Sequence, residues 1–177
     1  MSSEVRFATD THVVLIPDGV TIRVPAGTTG WITQVLGGNT TVQLDTGRLV
    51  RVAAADVAAI GGEAPVQAKV EDGPTTPERI WDVLRTCYDP EIPHNIVDLG
   101  LVYEMGVGEG DAGLDVSIAM TLTAPGCGMG PVLVADVEAK VGALPGVASV
   151  KVDLVFDPPW GPERMSEASR LEMGMFW

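Results

Sequence analysis

The sequence contains few of the residues that several large classes of protein need. It has only two cysteines, Cys87 and Cys127, among 177 residues, too few for a disulfide framework. It has 11 lysines and arginines against 24 aspartates and glutamates, a net charge of −13. This charge excludes the basic surface that nucleic acids and anionic membranes require. No apolar run is long enough to span a bilayer, and residues 1–6 lack a secretion signal. We therefore expect a cytoplasmic protein.

Turn-forming residues divide the sequence into two parts. Hydrophobic residues make up 46% of the chain, enough for a folded core. Glycine, proline and acidic residues are frequent around 61–74, which predicts a linker at 63–74. We predict a small all-β domain at 1–62, a mixed domain at 75–160 and a helical tail at 161–177. Residues 75–177 contain 16 acidic and 6 basic residues, a net charge of −10.

The pattern of the first domain indicates β-structure. Short β-branched runs alternate with turn signals such as Pro17-Asp18-Gly19 and Gly37-Gly38-Asn39. Four or five strands in a domain of about 60 residues predict a β-barrel-like fold of SH3-like size. A loose β-meander is the alternative.

The second domain has a mixed pattern of helices and strands. Apolar residues at helical spacing predict one helix before Pro90 and another after Cys127. A strand is predicted at Val97–Val107, and alternating residues predict further strands at 114–122 and 150–156. The order helix, strand, strand, helix, strand predicts an αββαβ domain with a mixed sheet and a parallel crossover. The predicted fold class is therefore α+β.

Cys127 lies in the run TAPGCGMGP at 123–131, between a predicted strand and a predicted helix. The unpaired N–H groups and positive dipole of a helix start favour a thiolate over a thiol. A thiolate is a metal ligand or a nucleophile. The alternative is an unreactive thiol tucked under the helix start, and position alone does not decide between them. The sequence places no histidine near Cys127, so a catalytic dyad is not evident.

Three carboxylates lie on the run DPEIPHNIVDLGLVY at 89–103. Its two prolines predict an extended and rigid path. Asp89, Glu91 and Asp98 are candidate oxygen ligands, or groups that orient the ligands of a metal site. Spacing alone favours a simpler interpretation, in which Asp89 caps backbone donors and Glu91 is solvated. His94 is a candidate ligand or proton carrier, but a lone histidine on a loop is more often exposed, and we expect that here. Cys87 lies near the end of a predicted amphipathic helix, where we expect it to be a small hydrophobic residue.

The end of the sequence combines a strand-ending motif with an apolar tail. Asp157-Pro158-Pro159-Trp160 closes the last predicted strand, because two prolines stop sheet pairing. The tail from Pro162 to Trp177 has a helical pattern and several large apolar residues. We expect this tail to dock on its own domain or on another subunit.

Taken together, DPEIPHNIVDLGLVY, TLTAPGCGMG and VKVDLVFDPPW resemble the SufT/PaaD-like family of metal–sulfur cluster assembly proteins over roughly residues 75 to 177. The β-rich first part resembles the extension of the longer bacterial SufT-type members. The resemblance implies an αββαβ fold and a role in maturing iron–sulfur proteins. It places the family's reactive cysteine on Cys127 and its acidic loop on Asp89, Glu91 and Asp98. Gly128 replaces the proline that follows the cysteine in a familiar form of this loop.

The number of cysteines limits what this resemblance implies. Iron–sulfur clusters usually take four thiolates, and this chain has two cysteines, which excludes a self-contained four-cysteine site. We therefore expect an assembly or transfer factor rather than an enzyme, with Cys127 as a transient or shared ligand of an iron–sulfur cluster or its metal. The expected partners are iron–sulfur assembly proteins and apo-client proteins, or a second copy in a homodimer. Two alternatives remain: an adaptor that does not use Cys127, and a thiol-dependent redox enzyme that does.

Overall fold

A computed structural model describes residues 3–62 and 73–175 of the chain. The chain forms two compact units, Met1–Val70 and Glu71–Trp177. Almost all of the predicted linker at 63–74 lies outside the described residues, so the linker and the domain boundaries drawn from it stay predictions. Within the described ranges no helix is long and apolar enough to cross a membrane.

The first unit contains one antiparallel sheet of six strands in the order β1-β4-β5-β6-β2-β3. Alternation directs Val13, Val42 and Val50 into a core that also contains Phe7. Gly37 and Gly38 form a two-residue hairpin between β4 and β5, and their φ angles of 58° and 84° explain why both are glycine. A 3₁₀ helix, Ala54–Ile60, follows the last strand. The strands are β1 (Glu4–Arg6), β2 (Thr11–Ile16), β3 (Thr21–Val24), β4 (Thr29–Leu36), β5 (Asn39–Leu44) and β6 (Leu49–Val52).

The prediction of β-structure for this unit is confirmed, but the predicted barrel-like closure is wrong. Among the described residues β1 pairs only with β4, and β3 pairs only with β2, so the sheet stays open. These two edge strands have only three and four residues. A barrel requires its first and last strands to pair, and such short edge strands do not meet. The sequence predicts individual strands but does not show which edges pair.

The second unit has the predicted order of helix, strand, strand, helix, strand. Its sheet has the order β7-β8-β9, with β7 and β8 antiparallel and β8 and β9 parallel. The α2 helix makes the crossover that the parallel pair requires. The αββαβ prediction and the α+β class are therefore confirmed. The elements are α1 (Pro77–Leu84), β7 (Val102–Gly110), β8 (Gly113–Met120), α2 (Gly130–Gly142), β9 (Val147–Leu154), a 3₁₀ helix (Pro162–Arg164) and α3 (Glu167–Glu172).

One face of this sheet packs against α1 and α2. The strand β8 contributes Val116, Ile118 and Met120 to the core, all of them buried. The helices contribute buried residues at helical spacing: Ile80 and Leu84 from α1, and Leu133, Val137 and Val141 from α2. Each such side chain contributes about 1.5–3 kcal/mol when fully buried. The alternating pattern places polar and small residues on the opposite side of the sheet, which is exposed to solvent.

The strand predicted at Val97–Val107 begins later, at Val102. Asn95 Oδ1 accepts hydrogen bonds from the N–H groups of Val97 and Asp98 at 3.1 and 2.9 Å, which starts a single helical turn instead. Gly100, with φ of 68°, ends this turn, and the N–H of Leu101 donates to Ile96 O at 2.9 Å. The apolar run therefore folds as a turn because a preceding side chain caps its backbone.

Gly100 provides a test of this turn. A Cβ at this position would overlap the carbonyl oxygen of Arg164, and φ is also positive. We expect Gly100→Ala to lower the free energy of unfolding by about 2–5 kcal/mol. Gly126→Ala is the matched control, because Gly126 has φ of 80° and no atom within 4 Å of an added Cβ. That control should cost only about 1–2 kcal/mol. Equal losses in urea denaturation followed by circular dichroism would contradict the close contact at Gly100.

Candidate functional site

Three chain segments meet at one end of the second sheet. The register pairs Val102 at the start of β7 with Met120 at the end of β8, and Met120 with Leu154 at the end of β9. The N–H of Thr121 donates to Leu101 O at 2.8 Å, and the N–H of Val155 donates to Met120 O at 2.8 Å. The loop that precedes β7 and the loop that follows β8 therefore lie at the same end of the sheet. These are the acidic loop and the cysteine loop of the sequence analysis.

Two consecutive turns hold Cys127 in place. Its N–H donates to Ala124 O at 3.3 Å, and Gly126 between them has φ of 80°. Proline followed by glycine at the two central positions is the sequence of a type II turn. In the second turn, the N–H of Gly130 donates to Cys127 O at 3.1 Å. The backbone of Cys127 is thus bonded on both sides, three residues before α2 begins.

Several backbone N–H groups at the start of α2 are either already hydrogen-bonded or absent. The N–H of Gly130 bonds to Cys127 O, Pro131 has no N–H, and the N–H of Leu133 donates to Met129 O at 3.0 Å. The expectation that free helix donors surround the Cys127 thiol is wrong for Gly130 and Pro131, whereas Leu133 makes the ordinary first bond of the helix. Neither Gly130 nor Pro131 offers a free N–H to an anion at this position, but the dipole of α2 still favours one.

The two cysteines have different surroundings. Cys87 is fully buried, and its thiol lies 3.8 Å from Val83 O, toward which it donates. The prediction that Cys87 behaves as a small hydrophobic residue is therefore confirmed. Cys127 is half-buried and packs against the edge of the same core, with part of its side chain reaching solvent. It is the accessible thiol of the pair.

Asp89 is a buried carboxylate that holds the acidic loop together. Its Oδ1 accepts hydrogen bonds from the N–H groups of Glu91 and Ile92 at 2.8 and 2.9 Å, and Asp89 is 7% exposed. Burial raises the pKa of Asp89 above its ordinary value of 3.8, and these two hydrogen bonds offset part of the increase. The N–H of Asp89 also donates to His94 O at 3.1 Å, which closes the loop. Asp89 therefore caps backbone donors, as the simpler interpretation of the sequence predicts.

The other two carboxylates of the loop differ from each other in exposure. Asp98 is half-buried, and its Oδ2 accepts a hydrogen bond of 2.6 Å from Asn95 Nδ2. Its carbonyl oxygen accepts from the N–H of Ser166 at 2.8 Å, so Asp98 joins the loop to the C-terminal segment. Glu91 is exposed, as its solvated interpretation predicts. Glu91 is therefore the loop carboxylate with the freest access to a partner or a cargo.

His94 makes contacts with α3 that the sequence did not predict. Its side chain is only 13% exposed, so the prediction of an exposed histidine is wrong. Its Nδ1 lies 3.3 Å from Ser169 Oγ and 3.7 Å from Glu172 Oε2, both on α3. Nothing in the run around His94 signals this contact, because Ser169 lies 75 residues further along the chain.

The C-terminal segment docks on its own unit, which is one of the two arrangements predicted from the sequence. Met165 is buried in the core of this unit, and Met175 packs against it. Trp160 Nε1 donates to Leu99 O at 2.8 Å, which ties the segment to the acidic loop. The last two residues of the predicted tail, 176 and 177, lie outside the described residues.

The described part of the chain gathers no three His, Cys, Asp or Glu side chains that could hold one metal ion. The roles of Cys127, Asp89, Glu91 and Asp98 as ligands or supports of a transient cargo stay predictions.

Comparison with known proteins identifies the family. Residues 77–153 match a family described as iron-sulfur cluster assembly protein. An Fe-S protein maturation auxiliary factor of Porphyromonas gingivalis is 48% identical over 99 residues, which are 56% of this chain and 91% of that protein. The Fe-S protein maturation auxiliary factor SufT of Staphylococcus aureus is 37% identical over 87 residues, which are 49% of this chain and 96% of that protein. The chain belongs to the SufT-like family of iron–sulfur cluster assembly proteins.

A solved structure supports the fold assignment. A domain of unknown function, DUF59, from Bacillus anthracis superposes with a TM-score of 0.50 and 34% sequence identity. The match covers 55% of this chain and 91% of that one. The resemblance stated from the sequence motifs is therefore confirmed. The family match at 77–153 falls within the second unit.

The raised pKa of Asp89 predicts a dependence of stability on pH. Because the folded chain holds the Asp89 proton more tightly than the unfolded chain, this residue contributes most stability below pH 3.8 and loses it as pH rises. Asp89→Asn keeps an oxygen acceptor for the two amides and does not titrate. We expect the unfolding free energy of Asp89→Asn, relative to wild type, to increase between about pH 4 and pH 7.

A second substitution separates the charge of Asp89 from its hydrogen bonds. Asp89→Ala removes the charge and the acceptor together, so it should follow the pH dependence of Asp89→Asn. It should also be less stable than Asp89→Asn by about 1–3 kcal/mol, because two amides lose their acceptor. Urea denaturation across this pH range measures both effects. Parallel curves for wild type and Asp89→Asn would show that burial does not perturb this carboxyl.

Proposed function

We propose that this chain is an accessory factor in the maturation of iron–sulfur proteins, and that Cys127 is a transient ligand of the cluster or metal in transit. The observation that carries the proposal is the contrast between the two thiols. Cys87 is fully buried in the core, whereas Cys127 is partly accessible on a loop at the edge of the sheet. Two relatives carry the name Fe-S protein maturation auxiliary factor, which supports a role of this kind.

Incomplete ligation suits transfer rather than storage. A cluster usually takes four thiolates, and a transfer factor must release its cluster as well as receive it, so a ligand set shared with another protein suits this role. One accessible thiol supplies one ligand, so the others come from an assembly protein, an apo-client or a second copy of this chain. The turns on both sides of Cys127 fix its backbone, so the thiol meets the cargo at a defined position.

The acidic loop contributes in two ways to the proposed site. Asp89 and Asp98 accept hydrogen bonds from within the loop, so they keep its shape. The exposed side chain of Glu91 makes no hydrogen bond or ion pair with the described residues, which leaves it available to a metal or partner. Both loops leave the same end of the sheet, which brings their backbones together.

We propose a non-catalytic role, and the contacts of His94 support it. His94, the histidine of the second unit, contacts Ser169 and Glu172. It shares no hydrogen bond with Cys127 among the described contacts. A redox or acyl-transfer enzyme would need a base beside this thiol. We place the proposed activity in the cytoplasm, where iron–sulfur assembly proteins and apo-clients would be the partners.

Anaerobic reconstitution with iron and sulfide tests the ligand role of Cys127. We expect wild type to bind iron with the absorption of a sulfide-ligated cluster, and Cys127→Ser to lose most of both signals. Cys87→Ala is the control, because it removes the other thiol from a site that solvent does not reach. It should bind iron like wild type, although the core cavity costs it about 1–2 kcal/mol of stability.

A second measurement distinguishes a transfer factor from an adaptor. Cells that carry Cys127→Ser in place of wild type should show reduced activity of their iron–sulfur enzymes at unchanged levels of the variant protein. An adaptor that recognises clients without using the thiol would support full activity. Normal enzyme activity together with normal iron binding by Cys127→Ser would overturn the proposed role of Cys127.

A further inference from the structure

The face of the second sheet that does not pack on α1 and α2 carries two adjoining cavities. One has a volume of about 500 Å³ and is lined by Val102, Tyr103, Glu104, Ala119, Asp157 and Arg164, among others. The other has a volume of about 490 Å³, and Gly106, Ser117 and Asp153 contribute to its lining. Because Glu104 and Ala119 line both cavities, the two form one depression across three strands. We call it the open-face groove.

The pleat of the sheet determines the shape of the open-face groove. The core face is made by residues such as Met105 and Ile118, which pair across β7 and β8. Their neighbours in sequence point the other way and form two cross-strand rows. The floor contains small residues that allow another backbone to approach the sheet closely. The two rows are Gly106, Ser117 and Lys151, and Glu104, Ala119 and Asp153.

The charges of the open-face groove are not balanced within the chain. Glu104 and Asp157 are exposed and make no hydrogen bond or ion pair with the described residues. Asp153 differs, because its Oδ2 lies 2.8 Å from Lys151 Nζ. Two carboxylates that make no ion pair therefore line the larger cavity, together with one cation, Arg164, whose guanidinium contacts the Tyr103 ring instead. Charged groups of this kind favour a cationic occupant.

An aromatic ring in the larger cavity already contacts a cation. The guanidinium of Arg164 lies over the Tyr103 ring, 4.4 Å from its centroid. Tyr103 Oη donates to Pro158 O at 2.8 Å, which fixes the ring. Arg164 occupies the face of the ring that it contacts, so the apolar surface left to an occupant comes from Val102, Ala119 and Val155. The cavity thus offers carboxylates and an apolar surface side by side, as a long basic side chain requires.

We propose that the open-face groove binds an extended segment of a partner protein that carries lysine or arginine. Two adjoining cavities with a floor of small residues fit a polypeptide, which needs room for its backbone and for alternate side chains. The net charge of −10 on residues 75–177, from 16 acidic and 6 basic residues, would attract such a segment from a distance. The site is separate from Cys127 and does not depend on its proposed role.

Binding of a labelled peptide to the full chain tests this proposal. The probe is a fluorescein-labelled octapeptide of alternating lysine and valine, measured by anisotropy, with the glutamate–valine octapeptide as its comparison. We expect the basic peptide to bind and the acidic one not to bind. The double substitution Glu104→Gln and Asp157→Asn should weaken binding by about fivefold to tenfold, as expected when two surface charge pairs are lost.

Two further variants make the test specific to the open-face groove. Glu109→Gln removes the same charge from the same strand, but its register with Leu114 places it in the row of the opposite face, so it should bind like wild type. Ala119→Lys places a cation in the floor shared by both cavities and should abolish binding. Circular dichroism confirms that each variant is folded.

Four results would overturn the proposal. The first is a wild-type chain that binds neither peptide, or both equally well. The second is unchanged binding by the double variant or by Ala119→Lys. The third is displacement of the peptide by an equal concentration of spermidine, which would identify a site for small polyamines. The fourth is a wild-type dimer in sedimentation that the double variant weakens, because a second copy would then occupy the groove.

Discussion

The parallel pairing of β8 with β9 is the constraint on which the second unit depends. Two parallel neighbouring strands require a crossover connection, and the apolar face of the sheet must be buried by another element. The helix α2 meets both requirements, because it connects β8 to β9 and packs on this face. The connection from β8 to α2 must then lie at the carboxyl end of β8, where Cys127 is found. The antiparallel β7 begins at this same end, so the acidic loop reaches it too. The position of the proposed site therefore follows from strand direction.

Backbone hydrogen bonding explains most of the polar residues at this end of the sheet. Asp89 and Asn95 accept from N–H groups that have no partner in a helix or strand, and such groups are costly to bury unpaired. Asp98 and Trp160 connect the same loop to the C-terminal segment. Cys127 and Glu91, by contrast, are accessible groups of the two loops. A small domain can thus have an ordered site although few of its polar residues contact a cargo.

The open-face groove and the cysteine loop occupy different regions of the same unit. The groove lies on the sheet face opposite the helices, whereas Cys127 packs beside the core at the end of β8. Transfer of a cargo needs a partner that is held and a ligand that exchanges, and different residues can supply these two functions. We therefore expect neutral substitutions in the groove and removal of the thiol to affect separate properties of the protein.

The sequence by itself determined the features that depend on local pattern and on counting. Alternation and helical spacing predicted the αββαβ order, and two cysteines excluded a self-contained four-thiolate site. The hydrophobic character of a free cysteine predicted Cys87, and the apolar residues of the tail predicted that it docks on its own domain or on another subunit. The tertiary structure alone decided which strands pair, where β7 begins and what His94 contacts. The sheet of the first unit is open because, among the described residues, its edge strands β1 and β3 each pair with one neighbour only. His94 meets Ser169 because the chain returns after 75 residues, and no local pattern records such a distant contact.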